Sequence, residues 1–421
     1  MATLLSTTSR VQVPYIVVSI GDYTFGLYSK TKTTVEMQDR YYSAIKTTYP
    51  NYMKSLRVKK VNGTLNTYTL VIEYALTAND DPNMFEKIFS SVSQSRKIKF
   101  TYGDCTTPSF LYRDEEAMIT KITSSLDTGH AKITYTINAV SSALKASAGL
   151  FNFPAYRKKK PSDVIISILK QKQYGLQEIF YGMQDVDLLL SKGILLRDDK
   201  EVSIPAKSSI TPWDYIGYLV TCMVSKNDSG NSVTKDTRYV LTIHDDVSEY
   251  LSGPYFQLQK ITTKLQELTS VDYYTINVGY QDKDFVSSFV VNDDQSYSIL
   301  YNYSSKVKQS DYVYRIGDDG NTSEIFSPTL TNSKSLYKTT EADRTWWTDI
   351  TQYPIKATLV LRGLLRAVLL MSYLRVNVYY YGRKHVSSGV YVVTQQEDTI
   401  DATGYFTTLS LLRVGGSDID N

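Results

Sequence analysis

The chain has little of what metal and redox chemistry uses. Of its 421 residues only two are cysteine, Cys105 and Cys222, and three are histidine, His130, His244 and His385. The cysteines are far apart and no CxxC occurs. Neither a disulfide framework nor a zinc site is argued by their spacing, and a reducing compartment fits. No histidine stands at ligand spacing from another histidine or cysteine, and HExxH is missing. G-x-S-x-G, a Walker loop and G-x-G-x-x-G are missing too, so the signals for a hydrolase elbow, a P-loop and a dinucleotide fold are all lacking. Net charge is small: 46 basic against 43 acidic residues, or +3. That balance gives no whole-chain electrostatic case for nucleic acid or an anionic membrane as the main partner. Long apolar runs are lacking as well. The most apolar stretch, 363–374, is broken by Arg366 and flanked by Arg362 and Arg375, and a bilayer takes roughly 20 apolar residues. Residues 1–10 show no basic region followed by an apolar core, so no signal peptide is expected.

What the chain has is tyrosine: 36, against 13 phenylalanines and 3 tryptophans. Tyrosine suits strands and half-wet interfaces, and its plain reading is a β-rich protein. The length predicts two to four domains with real cores.

Along the chain, 13–28 reads as two short strands about Gly21-Asp22, and 31–49 as a loop. Residues 56–61 and 68–76 flank Asn62-Gly63, the signal of a tight hairpin turn. Asp81-Pro82 opens a helix with Met84, Phe85, Ile88, Phe89 and Val92 on one face. Strands follow at 97–102, 117–123 and 132–139. Residues 141–160 turn small and polar, then basic (Arg157-Lys158-Lys159-Lys160). The predicted reading is a boundary with a solvated linker, a nucleic-acid contact being the other. Helices start at Pro161-Ser162-Asp163 and at Thr211-Pro212-Trp213-Asp214, the second with Thr211 as cap. A strand at 238–243 ends on Asp245-Asp246. Strands return at 271–280, 285–291 and 296–303. Residues 306–350 read as a polar insertion, in which Trp346-Trp347 is either a partner contact or a local mini-core.

The closing stretch is the clearest. Leu374, Val376, Val378 and Tyr380 alternate with polar positions; Ser388-Gly389-Val390-Tyr391-Val392-Val393 follows a turn; residues 400–414 end the run. Period-two alternation between turns marks half-buried antiparallel strands. The order S-G-x-Y-x-V, an acidic gap, then G-Y-F-T-T-L-x-L-x-R resembles the closing hairpin of the tube-like barrel in baseplate hub proteins of contractile phage tails. The same barrel recurs in type VI secretion spike proteins. D-P-N-x-x-E-K-I and I-x-F-x-Y-G-D (81–104) look like that family's first barrel. P-S-D-x-I-x-x-I-L, P-W-D-Y-I-x-x-L and Y-x-L-x-I-x-D-D resemble its middle domain.

The resemblance implies a mainly β (α+β) fold: a first tube-like barrel at 1–145, an α+β domain at 146–250, and a second barrel at 251–304 and 353–421 with an insertion at 305–352. It implies a homotrimeric ring adapting a sixfold tail tube to a threefold spike. Its partners would be the central spike, the tube or its initiator, baseplate wedge proteins and a tape measure protein, with DNA only in transit and no membrane insertion. The place would be the virion tail baseplate, assembled in host cytoplasm. No catalysis, cofactor or metal is expected. Gly389, Tyr391, Gly404, Tyr405, Trp346 and Trp347 stand as structural or interface candidates, and Gly404 is expected at positive φ or in a bulge.

Two other classes were weighed. A cell-wall hydrolase needs a compact site. Acidic pairs occur at Asp80-Asp81, Asp198-Asp199, Asp245-Asp246, Asp293-Asp294 and Asp318-Asp319, all read as turns, and nothing singles one out. A receptor-binding tail protein would suit the tyrosines but predicts β-repeats or a shaft, and neither is visible. His244-Asp245-Asp246 is the best candidate for a cation or acid–base site, and the reading preferred over that is a strand end running into a solvated turn. Replacing His244 and Asp245 there is expected to cost under about 0.5 kcal/mol.

Overall fold

The computed structural model describes residues 14–27, 52–75, 96–104, 113–127, 129, 131–226, 237–245, 254–262, 274–279, 285–293, 314–316, 322–324, 355–362 and 369–415. The expected loop at 31–49, helix at 81–92 and strand at 296–303 lie outside them.

The first part is all strand: β1 (Pro14–Ile20), β2 (Tyr23–Gly26), β3 (Met53–Val61), β4 (Thr67–Ala75), β5 (Lys97–Asp104), β6 (Arg113–Asp127) and β7 (Lys132–Ser141). Alternation decides which side chains point inward. In β7, Tyr135, Ile137 and Ala139 are buried, with their neighbours only half-buried. These residues join Ile16, Phe25, Leu56, Leu70 and Phe100 in one core, where the rings of Tyr68 and Phe100 stack with centroids 4.8 Å apart.

Asn62-Gly63 makes the expected tight turn, Thr64 N donating to Val61 O at 3.2 Å with Gly63 at φ +73°, but the turn lies inside a longer loop. Cross-strand pairing between β3 and β4 stops at Lys59 and Thr67. The two amides the turn itself does not use reach distant strands: Asn62 N donates to Thr394 O at 3.1 Å and Gly63 N to Leu241 O at 2.9 Å.

The middle part holds β8 (Phe151–Phe153), β9 (Tyr156–Lys159), α1 (Pro161–Lys170), α2 (Leu176–Ile179), α3 (Val186–Ser191), β10 (Val202–Ile204), β11 (Lys207–Ile210), α4 (Pro212–Thr221), β12 (Thr237–His244) and β13 (Tyr255–Thr262). The stretch read as a linker is therefore folded. β8 pairs with β11 and β9 with β10. Its apolar members explain this: Phe153 stacks on Tyr215 at 3.8 Å, while Arg157, Lys158 and Lys159 point to solvent.

The caps of α1 and α4 differ. Thr211 Oγ accepts from Asp214 N at 3.1 Å and donates to Asp214 Oδ2 at 2.7 Å, a local cap legible in the sequence. At α1 the capping position, Lys160, offers no side-chain bond. Asp199 serves instead, accepting from Ser162 N at 3.0 Å and Ser162 Oγ at 2.5 Å. The expectation of a turn aspartate fails at Asp199, which is fully buried; burial pushes its pKa up.

The last part contains β14 (Tyr274–Val278), β15 (Val286–Asp293), β16 (Tyr314–Ile316), β17 (Thr322–Glu324), β18 (Ile355–Arg362), β19 (Tyr373–Tyr380), β20 (Arg383–Lys384), β21 (Gly389–Asp401) and β22 (Gly404–Gly415). Leu359, Leu374, Val376, Tyr391, Val393, Leu409 and Leu411 form its core. Of the polar insertion, only the β16–β17 hairpin is among the described residues.

The fold is mainly β, as expected, and its two β-rich parts share one sheet. The order is β15-β18-β22-β21-β3-β4-β7-β6-β5-β1-β2, with β14, β19 and β20 attached at β21, making 14 strands. Among the described residues every strand pairing is antiparallel except β14 with β19. The seam is β3 against β21, Leu56 opposite Ile400 and Lys60 opposite Gln396. Arg57 Nε donates to Glu397 Oε1 at 2.7 Å across it. Ile400 and Tyr405 reach over the seam into the first core.

Candidate functional site: a buried polar junction

Lys60 continues the inward parity of Leu56 and Val58 along β3, so a cation enters the core. It is 2% exposed and pairs with Glu115, itself 1% exposed. Tyr102 OH donates to Glu115 Oε1 at 2.9 Å. Close by, Asp245 follows the last residue of β12 and is 3% exposed. It accepts from Asn66 Nδ2 at 2.8 Å, Tyr68 OH at 3.1 Å and Ser141 Oγ at 2.5 Å. Asn66 Nδ2 also donates to Ile243 O at 3.2 Å. The carboxylate thus ties β12 of the middle part to β4, β7 and the β3–β4 loop of the first.

The solvated turn expected at Asp245 is not what forms, because three donors from the first part close over it. His244 is likewise buried, stacked on Tyr255 at 4.6 Å, with its Nε2 3.2 Å from Thr242 Oγ1. A cost under about 0.5 kcal/mol belongs to exposed positions and does not apply to this pair.

Burial dominates the electrostatics. It pushes Asp245 up to about 6, against the opposing bonds from Ser141 and Asn66 and with Glu115 adding to the rise. Burial also lifts the Tyr68 phenol well above its ordinary range, with Asp245 and Glu115 contributing. Tyr68 therefore remains a donor at any ordinary pH.

A second buried group lies across the seam. Asp398 accepts from Thr407 Oγ1 at 2.7 Å and from Gln396 Nε2 at 3.1 Å, and Gln396 Oε1 accepts from Leu369 N at 2.8 Å. The sequence held a signal for both groups: Lys60, Gln396 and Asp398 occupy apolar-parity positions of otherwise alternating strands. Chemically the arrangement is a set of joints. Its carboxylates are sealed from solvent and each is held by several donors or a cation, although Glu115 Oε2 finds no partner of its own, which suits registration of elements and gives a substrate no access. Among the described residues no three His, Cys, Asp or Glu side chains gather as a metal would need.

Of the candidate residues, Gly389 opens β21 where the end of β22 passes closest. A Cβ there would stand 2.6 Å from Gly415 O and 2.8 Å from Arg413 Nε. Tyr391 is fully buried and donates to Ser387 O at 2.6 Å. Gly404 has φ +144°, and Tyr405 is buried in the first core. Trp346 and Trp347 lie outside the described residues. The junction contains none of these candidates; Lys60, Glu115 and Asn66 carry no mark in the sequence that would join them to Asp245.

No protein-family model matches the chain, and no curated protein does. Solved structures do match. A prophage MuSo2 43 kDa tail protein from Shewanella oneidensis aligns at TM-score 0.47 and 8% identity, over 95% of this chain and 98% of that one. A tail protein from Neisseria meningitidis MC58 gives 0.47 and 9%, over 95% and 96%. A Francisella PdpA-VgrG complex gives 0.47 and 12%, over 98% and 54%. At TM-scores below 0.5 these likenesses do not bear on role.

Gly404 yields a direct expectation. Its φ lies where glycine alone is comfortable, and a Cβ would meet nothing within 4 Å, so the penalty of a side chain is purely backbone. Gly404→Val should cost about 1–3 kcal/mol and loosen the β21–β22 hairpin that carries Ile400 and Tyr405. An unchanged melting temperature would contradict this.

Proposed function

We propose that this chain is a non-enzymatic structural protein of a phage tail, and specifically the baseplate hub of a contractile tail. Three copies would form the ring that joins a sixfold tube to a threefold spike. The observation that carries the reading is the seam. Two β-rich parts stand edge to edge in one sheet, so each chain supplies an arc with two positions. Head-to-tail addition of such two-position arcs closes into a ring. Several of the motifs that carry the family resemblance fall on regular elements among the described residues. S-G-x-Y-x-V begins just before β21, G-Y-F-T-T-L-x-L-x-R lies on β22, and Y-x-L-x-I-x-D-D runs along β12 into the buried Asp245. The spike, the tube or its initiator, wedge proteins and a tape measure protein would then be its partners, in the virion.

The test is the mass of the full chain by light scattering, alone and with its spike. A trimer is expected, with each interface burying more than about 2,000 Å². A stable monomer under both conditions would end the proposal.

A further inference from the structure

The hairpin joining β19 to β20 is built against its own backbone preferences. Tyr379 pairs with Lys384 and Tyr380 with Arg383, leaving Tyr381 and Gly382 as the two turn residues. Both have positive φ, +50° and +76°. A turn of this kind favours Asn or Gly at its first position, and a bulky residue there is strained. Tyr381 is nevertheless the residue present, and its ring is completely exposed, at 106%. Tyr380 is 60% exposed and Val386 is 72% exposed. Arg383 and Lys384 stand between them, also in solvent. His385 lies edge-on to Tyr380, with ring centroids 5.1 Å apart.

The stretch of sequence that carries this tip is one-sided in charge although the whole chain is balanced. No Asp or Glu occurs from Ile355 to Gln396, while Lys356, Arg362, Arg366, Arg375, Arg383 and Lys384 do. The tip is also convex. A two-residue turn offers no groove in which a base or a peptide would sit. It presents two phenol rings and a valine at its crest, with two cations beside them. Rings with an apolar body and a polar end rest at the boundary between hydrocarbon and headgroups. Adjacent Lys and Arg add attraction to anionic headgroups within a Debye length.

We propose that the Tyr380–Val386 hairpin is a peripheral docking tip for an anionic lipid surface, the tyrosines seated among the headgroups and Arg383 and Lys384 on lipid phosphates or carboxylates. No segment crosses the bilayer in this arrangement. Among the described residues no helix is long and apolar enough to do so.

The experiment is co-sedimentation of the full chain with vesicles of phosphatidylcholine alone, and with about 30% phosphatidylserine added to give the surface an anionic potential. Free inorganic phosphate serves as competitor. Binding is expected only to the anionic vesicles and should weaken as salt rises. Tyr380→Ser with Tyr381→Ser should reduce the bound fraction about tenfold. Arg383→Gln with Lys384→Gln should remove the preference for anionic vesicles. Both pairs lie on an exposed tip, so unchanged melting temperatures would confirm that folding is intact. In a Tyr381→Trp variant the tryptophan emission should shift to the blue on anionic vesicles. Three results would each overturn the proposal: no sedimentation with anionic vesicles at low salt, sedimentation unchanged in both double variants, or full displacement by millimolar inorganic phosphate, which would mean a small-anion site.

Discussion

Asp245→Ala is expected to destabilise the protein by about 2–4 kcal/mol at neutral pH, because it leaves buried donors on Asn66, Tyr68 and Ser141 without their acceptor. The loss should appear first as easier opening between the middle part and the first β-rich part, since that carboxylate gathers three of the bonds by which β12 and the residue after it are held to the first part. Limited proteolysis would show the middle part separating from the first β-rich part before global unfolding. The pH dependence has a definite sign. The folded carboxyl titrates near 6 against an ordinary 3.8, so between those values the folded state holds a proton that the unfolded state has released. The group's stabilising effect is therefore greatest below about pH 4 and declines as pH rises through about 6, by on the order of 2–3 kcal/mol. Asp245→Asn removes this slope. Urea-unfolding free energies of the two proteins, compared from pH 4 to 7, should diverge toward acid in favour of the parent. Parallel curves would refute the assignment.

Lys60→Met should be at least as damaging. Glu115 would keep its charge in the core with its cation gone, and breaking such a pair costs about 3–5 kcal/mol. The informative companion is Lys60→Met with Glu115→Gln, which removes both charges while keeping an acceptor for Tyr102. That double variant should recover most of the loss. If the single change cost under about 1 kcal/mol, or the double variant fared worse than the single, the pair would not be the joint described above.

The sequence and the structure agree where a local rule decides the outcome. Alternation in 132–139 and 374–378 places side chains correctly, because burial on one face of a strand needs nothing beyond period two; it fails at Tyr380, where the strand has run past the core and the side chain is 60% exposed. Thr211 and Gly404 are legible for the same reason: a cap and a glycine-only φ are decided within a few residues. Disagreement sits where a distant element overrides the local rule. Asn62-Gly63 turns tightly as its local rule says, but the loop around it is longer than two residues and is anchored on Thr394 and Leu241. Asp245 would sit in water, but Asn66, 179 residues away, closes on it. Asp199 reads as a turn residue, yet it caps a helix that begins almost forty residues earlier. The basic run at 157–160 reads as a linker because its charges hide the anchoring role of Phe153 and Tyr156.

The seam also sets an order of events during synthesis. β3 is made early, and its partner β21 emerges roughly 340 residues later, the separation between Arg57 and Glu397. Until then β3 has a bare edge, and the first core lacks Ile400 and Tyr405. At about 5–20 residues per second the ribosome leaves that edge open for tens of seconds. Pairings so remote in sequence are slow to form and leave unfinished sheets exposed to one another. A nascent chain therefore cannot present a finished arc until its closing hairpin has been delivered. Any protein truncated before residue 389 would display the β3 edge permanently, and would be expected to aggregate or be degraded rather than enter an assembly as a defective subunit.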